Sequence, residues 1–224
     1  MSTPDFREAS RAQVSMLAPI EKKVLVWLAE RTPAWINPDH LTVLGLVSLV
    51  GAGASYWYAH QNKLGLLICI ACLVINWVGD SLDGTLARVR DKQRPRYGFY
   101  VDHTVDALGT TCLLVGLALS GYMIPTLALA LLIIYLLLSI EVYLATYTIG
   151  EFHLSFWKFS PTELRILLSV ANLAAWFDPG VRAGGNSYRA YDIGGAIGVV
   201  LMAVMLIVSV ARHTAHLYRS ERIK

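Results

Sequence analysis

Charged residues are scarce in this chain, and their scarcity excludes an ordinary soluble domain. Only 16% of the 224 residues are charged, whereas 55% are hydrophobic. A soluble globular domain typically has about 25% charged residues. The formal net charge of +3 is too small to indicate nucleic acid as a partner. The composition therefore predicts a protein embedded in a membrane.

Cysteine is also rare, and the first forty residues lack the pattern of a cleavable leader. The three cysteines are Cys69, Cys72 and Cys112, and the first two form a C-x-x-C pair inside an apolar run. In that setting we interpret the pair as small packing residues and not as a redox or metal motif. Residues 1–40 contain neither an uninterrupted apolar core nor a small-residue cleavage site, so no signal peptide is predicted.

Six apolar stretches make up most of the remaining chain. About nineteen helical residues cross the hydrocarbon layer of a bilayer, and backbone groups in lipid must pair within their own segment, which favours helices. We predict an all-α integral membrane protein with six transmembrane helices, preceded by an interfacial amphipathic helix. The predicted parts are an N-terminal segment 1–38, a transmembrane domain 39–213 and a tail 214–224. The stretches cover about 41–59, 64–80 with an extension toward 88, 99–120, 123–148, 163–178 and 191–211.

The distribution of lysine and arginine predicts the orientation. Sixteen of the 19 basic residues lie in the N-terminal segment, the 88–97 loop, the 149–165 stretch and the tail. An even number of predicted spans separates these segments from one another, so all four lie on the same side of the membrane. The positive-inside rule then puts both termini and the 88–97 loop in the cytoplasm. Residues 14–30 alternate apolar and charged positions, which favours a helix in the membrane surface. A solvated linker is the alternative interpretation of that segment.

Four aspartates lie between two of the apolar spans, in GDSLDGTLARVRDKQRPRYGFYVDHTVDALG, residues 79–109. Asp80 and Asp83 are one helical turn apart, and so are Asp102 and Asp106, so each pair occupies one face of a helix. The short loop between the helices makes them antiparallel neighbours, which brings the four carboxylates together. Hard divalent cations stabilise such mutually repelling groups, and two Mg²⁺ match four carboxylates in formal charge.

Small and basic residues accompany the aspartates. Gly84 and Ala87 share the face of the first pair and leave room for a ligand against the helix, since glycine permits close backbone approach. Gly98 precedes Asp102 by one turn and leaves similar room on the facing helix. Arg88 offers a guanidinium to a phosphate or lipid headgroup.

Together these residues spell D-x-x-D-G-x-x-A-R, nine further residues and G-x-x-x-D-x-x-x-D. The pattern closely resembles the signature of the CDP-alcohol phosphotransferase (phosphatidyltransferase) family, with eight fixed positions matching over 27 residues. The family's core has six spans, and its motif joins the cytoplasmic ends of spans 2 and 3, as predicted here. The resemblance covers about residues 33–211.

The resemblance implies a metal-dependent transfer from a CDP-linked donor to an alcohol acceptor. It implies that Asp80, Asp83, Asp102 and Asp106 bind two divalent ions, Mg²⁺ or Mn²⁺. It makes Asp106 also the general base that deprotonates the acceptor hydroxyl. It implies a homodimer, as relatives commonly form. The nucleotide contacts that it implies are Asp80, Gly84, Ala87, Arg88 and Gly98.

Two further stretches carry the resemblance. P-D-H-L-T, Pro38–Thr42, looks like the P-N-x-[LI]-T with which many relatives open their first helix. Asp39 stands where asparagine is usual, and we interpret it as a helix cap. The segment TYTIGEFHLSFWKFSPTELRILL, 146–168, resembles the choline and ethanolamine phosphotransferases, as does D-H-x-x-D at Asp102.

That subfamily transfers phosphocholine or phosphoethanolamine from a CDP-alcohol to diacylglycerol, and we predict this class of reaction in phospholipid biosynthesis. Glu163 is carried over from it as an active-site helper, and His103 is either functional or a packing residue. The alternative is CDP-diacylglycerol as donor, with glycerol phosphate, inositol phosphate or serine as acceptor. A phosphorylated acceptor needs a basic pocket, for which Lys158 and Arg165 are the candidates.

Two rival functions fit the sequence less well. LDGTL is similar to the motif of haloacid-dehalogenase phosphatases, but Ser81 stands where their nucleophile is required. A transporter of Mg²⁺ or another ion is the non-enzyme alternative, because intramembrane carboxylates often mark ion pathways. The acids here cluster at one membrane face, however, and no inverted repeat of the motif follows.

Overall fold

The computed structural model describes residues 18–149, 161–178, 180–183 and 186–221. Apart from one short antiparallel hairpin, every regular element in these residues is an α-helix, which confirms the predicted helical class. The hairpin pairs Gly180 with Arg189 and Ala183 with Asn186. The elements in chain order are α1 (Ala18–Arg31), α2 (Pro38–Ala59), α3 (Leu64–Val89), α4 (Pro95–Leu119), α5 (Pro125–Ile149), α6 (Pro161–Phe177), β1 (Gly180–Ala183), β2 (Asn186–Arg189) and α7 (Ala190–Ser220).

Proline and glycine set several of the helix boundaries. The first residues of α2, α4, α5 and α6 are all prolines. The fixed φ of proline suits the first helical turn, and the N–H that proline lacks would have no intrahelical partner there. Helix α4 ends before Gly121, whose φ of 78° lies in the left-handed region where glycine is favoured. The chain therefore turns sharply between α4 and α5.

The centre of the fold is the packing of α2 between α3 and α4. A Cβ built on Gly79 of α3 would lie 2.7 Å from the carbonyl oxygen of Leu41 in α2, and one built on Gly116 of α4 would overlap the carbonyl of Gly53. Only glycine permits backbones to approach this closely. The motif helices α3 and α4 are thus held against one common partner, which fixes their mutual orientation.

The other helices surround this centre. Helix α6 packs on α3, and α5 lies between α4 and α7. Helix α1 packs on the second half of α3, where Leu25 and Ala29 are buried in a cluster with Leu41, Leu82 and Leu86. The N-terminal segment therefore contains a helix from Ala18, and its apolar side contacts the motif helix.

Among the described residues, four helices are long and apolar enough to cross a membrane: α2, α3, α5 and α7. Length and composition thus support an integral membrane protein, and they favour four of the six predicted spans. Helix α4 is long enough, but the polar residues of its first half, including both motif aspartates, dilute its apolar sequence. The apolar part of α6 is the short segment Leu164–Phe177.

Candidate active site at the aspartate cluster

The four motif aspartates meet where the end of α3 lies beside the first half of α4. Asp80, Asp102 and Asp106 each offer a carboxylate oxygen, and these oxygens all lie within 4.8 Å of one another. Asp83 lines the same cavity. The convergence of the carboxylates that the spacings and the short loop predict is therefore present in the structure, where α3 and α4 both pack on α2.

The enclosed space between these carboxylates is small. Its volume is about 10 Å³, which is roughly the space that one water molecule requires. An ion fits this space, whereas a nucleotide does not and must lie outside it. The lining residues are Thr42, Gly45, Asn76, Asp80, Asp83, Asp102, Val105 and Asp106.

Helix α2 completes the site through Thr42. The Thr42 hydroxyl donates a hydrogen bond of 2.6 Å to Oδ2 of Asp83, and the other carboxylate oxygen accepts from the N–H of Gly84. Two donors thereby hold the Asp83 carboxylate in one orientation. Thr42 belongs to the P-D-H-L-T stretch, but the sequence pattern alone predicted no role for it at the site.

Helix α6 contributes the cation of the site. The Arg165 guanidinium donates to Oδ2 of Asp80 at 2.5 Å and to Oδ1 of Asn76 at 2.7 Å. The Asn76 amide in turn donates to the carbonyl of Gly45 at 3.0 Å. Arg165 was predicted as an acceptor contact, and the structure places its side chain directly on a motif aspartate. Asn76, fully buried, was missed because its apolar neighbours conceal it in the sequence.

Open space lies beside the residues predicted to contact a nucleotide. A Cβ built on Gly98 would meet nothing within 4 Å, and one built on Gly84 would meet only the guanidinium of Arg88. Arg88 is exposed, and its Nη2 donates to the hydroxyl of Thr85 at 3.1 Å. Ala87 is half-buried on the same helix. These side chains leave one flank of the cluster accessible to a flat or bulky group.

Comparison with known protein families agrees with this geometry. The family model described as CDP-alcohol phosphatidyltransferase matches residues 35–211, most of the chain and all of the cluster. The chain belongs to this family. Its members are transferases of phosphate-containing groups, and the resemblance noted from the motif is confirmed.

Two curated relatives of this family are similar to parts of the chain. Archaetidylinositol phosphate synthase of Pyrococcus horikoshii is 30% identical over 86 residues, which are 38% of this chain and 43% of that protein. Cholinephosphotransferase 1 of Homo sapiens is 30% identical over 125 residues, 50% of this chain and 29% of that protein. The chain thus covers less than half of either relative's length.

The carboxylates have the chemistry that a divalent metal of this family requires. The family is generally dependent on a divalent metal, and carboxylate oxygens are the ligands that Mg²⁺ and Mn²⁺ prefer. Three oxygens from two helices lie close enough together to share an ion. The residues present therefore fit such an ion.

The remaining predicted site residues have different positions. His103 is buried, its Nδ1 lies 2.7 Å from the carbonyl oxygen of Phe99, and its ring stacks on Phe99 at 4.2 Å and meets Tyr143 edge-on at 5.0 Å. Its Nδ1 also lies 3.8 Å from Oδ2 of Asp102, so His103 has both packing contacts and a contact with a motif aspartate. Lys158 lies outside the described residues. Glu163 lies in α6, but its side chain lies outside the described part of the structure.

Two arginines of the α3–α4 loop bind the start of α2 and the segment before it. Arg90 donates to the carbonyls of Ile36 at 2.6 Å and Thr32 at 2.7 Å. Arg94 forms an ion pair with Asp39. Asp39 is therefore not the cap of α2, whose N-cap residue is Asn37. The loop and the start of α2 are thus fastened together beside the cluster.

Proposed function

We propose that this protein transfers a substituted phosphate group from a CDP-linked donor to an alcohol acceptor and releases CMP. The observation that carries the proposal is the convergence of three carboxylate oxygens within 4.8 Å at the family motif. In the reaction the acceptor oxygen forms a new bond to the transferred phosphorus, the anhydride bond to CMP breaks, and the acceptor proton leaves. CMP carries away the electron pair of the broken bond.

We assign Asp80, Asp83, Asp102 and Asp106 to the metal, which would stabilise charge on the anhydride and align donor and acceptor. Thr42 and the Gly84 N–H orient the Asp83 carboxylate, and Arg165 orients Asp80. Asp106 in addition takes the acceptor proton, as the family resemblance implies, and it lies in the cluster, where a general base must be within hydrogen-bond reach of that proton. No covalent intermediate is needed for this transfer.

The cytidine end of the donor lies along the open flank of the cluster. The space beside Gly84 and Gly98 accommodates a base or ribose that the enclosed cavity does not. Arg88, exposed at the end of α3, lies at the position where the motif brings a cation to the phosphates of the donor. The small side chain of the half-buried Ala87 leaves room for a ligand beside the helix at this point.

We propose a CDP-aminoalcohol as donor and diacylglycerol as acceptor. The D-H-x-x-D and 146–168 resemblances support this choice, and so does the similarity to cholinephosphotransferase 1. Arg165 also supports it, because a guanidinium already bonded to Asp80 and Asn76 has fewer donors left for a phosphorylated acceptor.

The alternative is a CDP-diacylglycerol-type donor with a small polar alcohol such as inositol phosphate. The similarity to an archaetidylinositol phosphate synthase favours it. In both reactions the chemistry at the aspartates is the same, and the lipid changes from acceptor to donor.

For the membrane arrangement we propose six spans, α2 to α7, with both termini and the aspartate cluster facing the cytoplasm. The distribution of basic residues supports this orientation. Helix α1 lies in the cytoplasmic interface, where its exposed Trp27 and the Arg31 guanidinium stacked over it suit lipid headgroups. We also propose a homodimer, as the family resemblance implies.

The test is CMP release by the purified protein in detergent with Mg²⁺. CDP-choline, CDP-ethanolamine and CDP-diacylglycerol are each combined with diacylglycerol, inositol phosphate, glycerol phosphate and serine. We expect CMP from the two CDP-aminoalcohols with diacylglycerol. CMP only from CDP-diacylglycerol would select the alternative, and no CMP from any pair would contradict the proposed reaction.

Thr42→Val is expected to weaken Mn²⁺ binding by roughly tenfold, the size of effect seen when a partner of a metal ligand is removed. Valine has the shape of threonine but cannot donate the 2.6 Å hydrogen bond to Asp83. The measurement is Mn²⁺ affinity by electron paramagnetic resonance. Thr104→Val is the control, because Thr104 is exposed and bonds only its own helix, at the carbonyl of Tyr100. Equal affinities for the two variants would exclude a supporting role for Thr42.

A further inference from the structure

A glutamate outside the family motif joins three helices next to the aspartate cluster. Oε1 of Glu21 in α1 accepts a 2.8 Å hydrogen bond from the indole N–H of Trp77 in α3 and a 2.8 Å hydrogen bond from the hydroxyl of Thr162 in α6. The Ser81 hydroxyl lies 3.5 Å from the same oxygen. One half-buried carboxylate thereby connects α1, α3 and α6.

These contacts lie one step from the proposed metal ligands. Ser81 is the neighbour of Asp80 in sequence, and Thr162 precedes Arg165 by three residues, which is about one helical turn. Arg165 in turn bonds Oδ2 of Asp80 at 2.5 Å. Glu21 therefore holds the first turn of α6 through Thr162, and Arg165, which lies one turn further along the same face of α6, reaches the cluster.

We propose that Glu21 is a positioning residue, which fixes the start of α6 on α3 so that Arg165 reaches Asp80. The inference rests on the proposed function, because Asp80 is there a ligand of the metal. Without the Glu21 acceptor, Thr162 loses this link to α1, and the first turn of α6 is held less firmly on α3. Arg165 then samples positions away from Asp80.

A purely structural role and a long-range electrostatic role for Glu21 each predict a different result. The structural role would act through the packing of α1, which Leu25 provides by being buried against α3. The electrostatic role would depend on the negative charge and not on the hydrogen bonds. Glutamine separates charge from contact, because it keeps an oxygen acceptor at the end of a side chain of the same length.

The experiment is a double-mutant cycle of Glu21→Ala and Arg165→Gln, with Leu25→Ala as the matched control on the same helix. CMP release and Mn²⁺ affinity are measured for each protein. We expect Glu21→Ala to lower CMP release by roughly 10- to 100-fold, as misplacement of an active-site group by about 1 Å does. In the Arg165→Gln background the same change should have an effect of less than about twofold, because residues that act as one unit are not additive.

Two further comparisons belong to the expected result. Glu21→Gln should retain CMP release within about threefold of wild type, since a neutral acceptor replaces a charged one. Leu25→Ala should have the same fractional effect in both backgrounds. An additive cycle for Glu21→Ala would overturn the inference, and a Glu21→Gln variant as impaired as Glu21→Ala would assign the effect to charge.

Failure of the proposed function is distinguishable from failure of this inference. If the wild type forms CMP and the cycle is additive, only the positioning role is wrong. If the wild type neither binds Mn²⁺ nor forms CMP, the proposed function is wrong. In that case the thermal midpoints of the wild type, the two single variants and the double variant still measure the Glu21–Arg165 coupling without metal or donor. Additive shifts of the midpoint would by themselves overturn the positioning role.

Discussion

Asp106→Asn is expected to lower the rate of CMP release by about 10³-fold, within the range that removal of a general base produces. Asparagine has the shape of aspartate and keeps one oxygen that can face an ion, but it cannot take the proton of the acceptor hydroxyl. The other three aspartates remain, with Asp83 still held by Thr42 and Asp80 by Arg165. Mn²⁺ and cytidine nucleotide should therefore still bind.

The measurement compares the maximal rate with the affinities for Mn²⁺ and a CDP-linked donor in the same preparation. Asp91→Asn is the matched control, because Asp91 is exposed in the α3–α4 turn at φ 51°, a conformation that asparagine tolerates as well as aspartate. Normal turnover by Asp106→Asn would show that another group takes the proton. A loss of turnover that excess Mn²⁺ restores would make Asp106 a metal ligand alone.

The sequence predicts the aspartate cluster correctly because the relevant distances are local. Asp80 and Asp83 lie on one turn of α3, Asp102 and Asp106 on one turn of α4, and helical periodicity determines which face they share. The short connection between the helices then brings the two pairs to the same end of the fold, where both helices pack on α2. Four aspartates flanked by apolar runs are also conspicuous, since such residues are costly in lipid without a compensating partner.

The partners of the cluster lie far away in the sequence, and periodicity contains no information about them. Thr42 is 41 residues from Asp83, and Arg165 is 85 residues from Asp80. Their contacts depend on how α2 and α6 pack on α3, which a single sequence does not fix. The same limit applies to Arg90 and Arg94, whose charge in the sequence indicates only the orientation in the membrane. Their contacts with Thr32, Ile36 and Asp39 depend on tertiary packing.

Hydropathy and function conflict in α4. This helix must present Asp102 and Asp106 to the cluster, so its first half is too polar to be identified as a span by composition. The prediction of six spans relied on the apolar stretch 99–120 for this helix and on the short apolar run 163–178 for α6. Helix existence is therefore predicted well throughout, whereas membrane crossing is supported by composition for α2, α3, α5 and α7 only.

The second large effect is expected at Gly116, where α4 crosses α2. A Cβ at this position would overlap the carbonyl of Gly53, which is backbone and cannot rotate away as a side chain does. Gly116→Ala must therefore separate the two helices. Overpacking of this kind costs about 3 kcal/mol, which corresponds to a fall of roughly 6–12 °C in the thermal midpoint of a chain of this size.

The same separation should also reduce turnover, since α4 carries Asp102 and Asp106 while α2 carries Thr42. Gly194→Ala is the control, because a Cβ built on Gly194 in α7 meets nothing within 4 Å. Alanine there should raise stability slightly, by about 0.5–1 kcal/mol, as expected for glycine replaced in a helix. Equal thermal midpoints for the two variants would mean that α2 and α4 do not pack as closely as the structure has them. A lower midpoint for Gly116→Ala with full turnover would mean that the catalytic aspartates do not depend on this crossing.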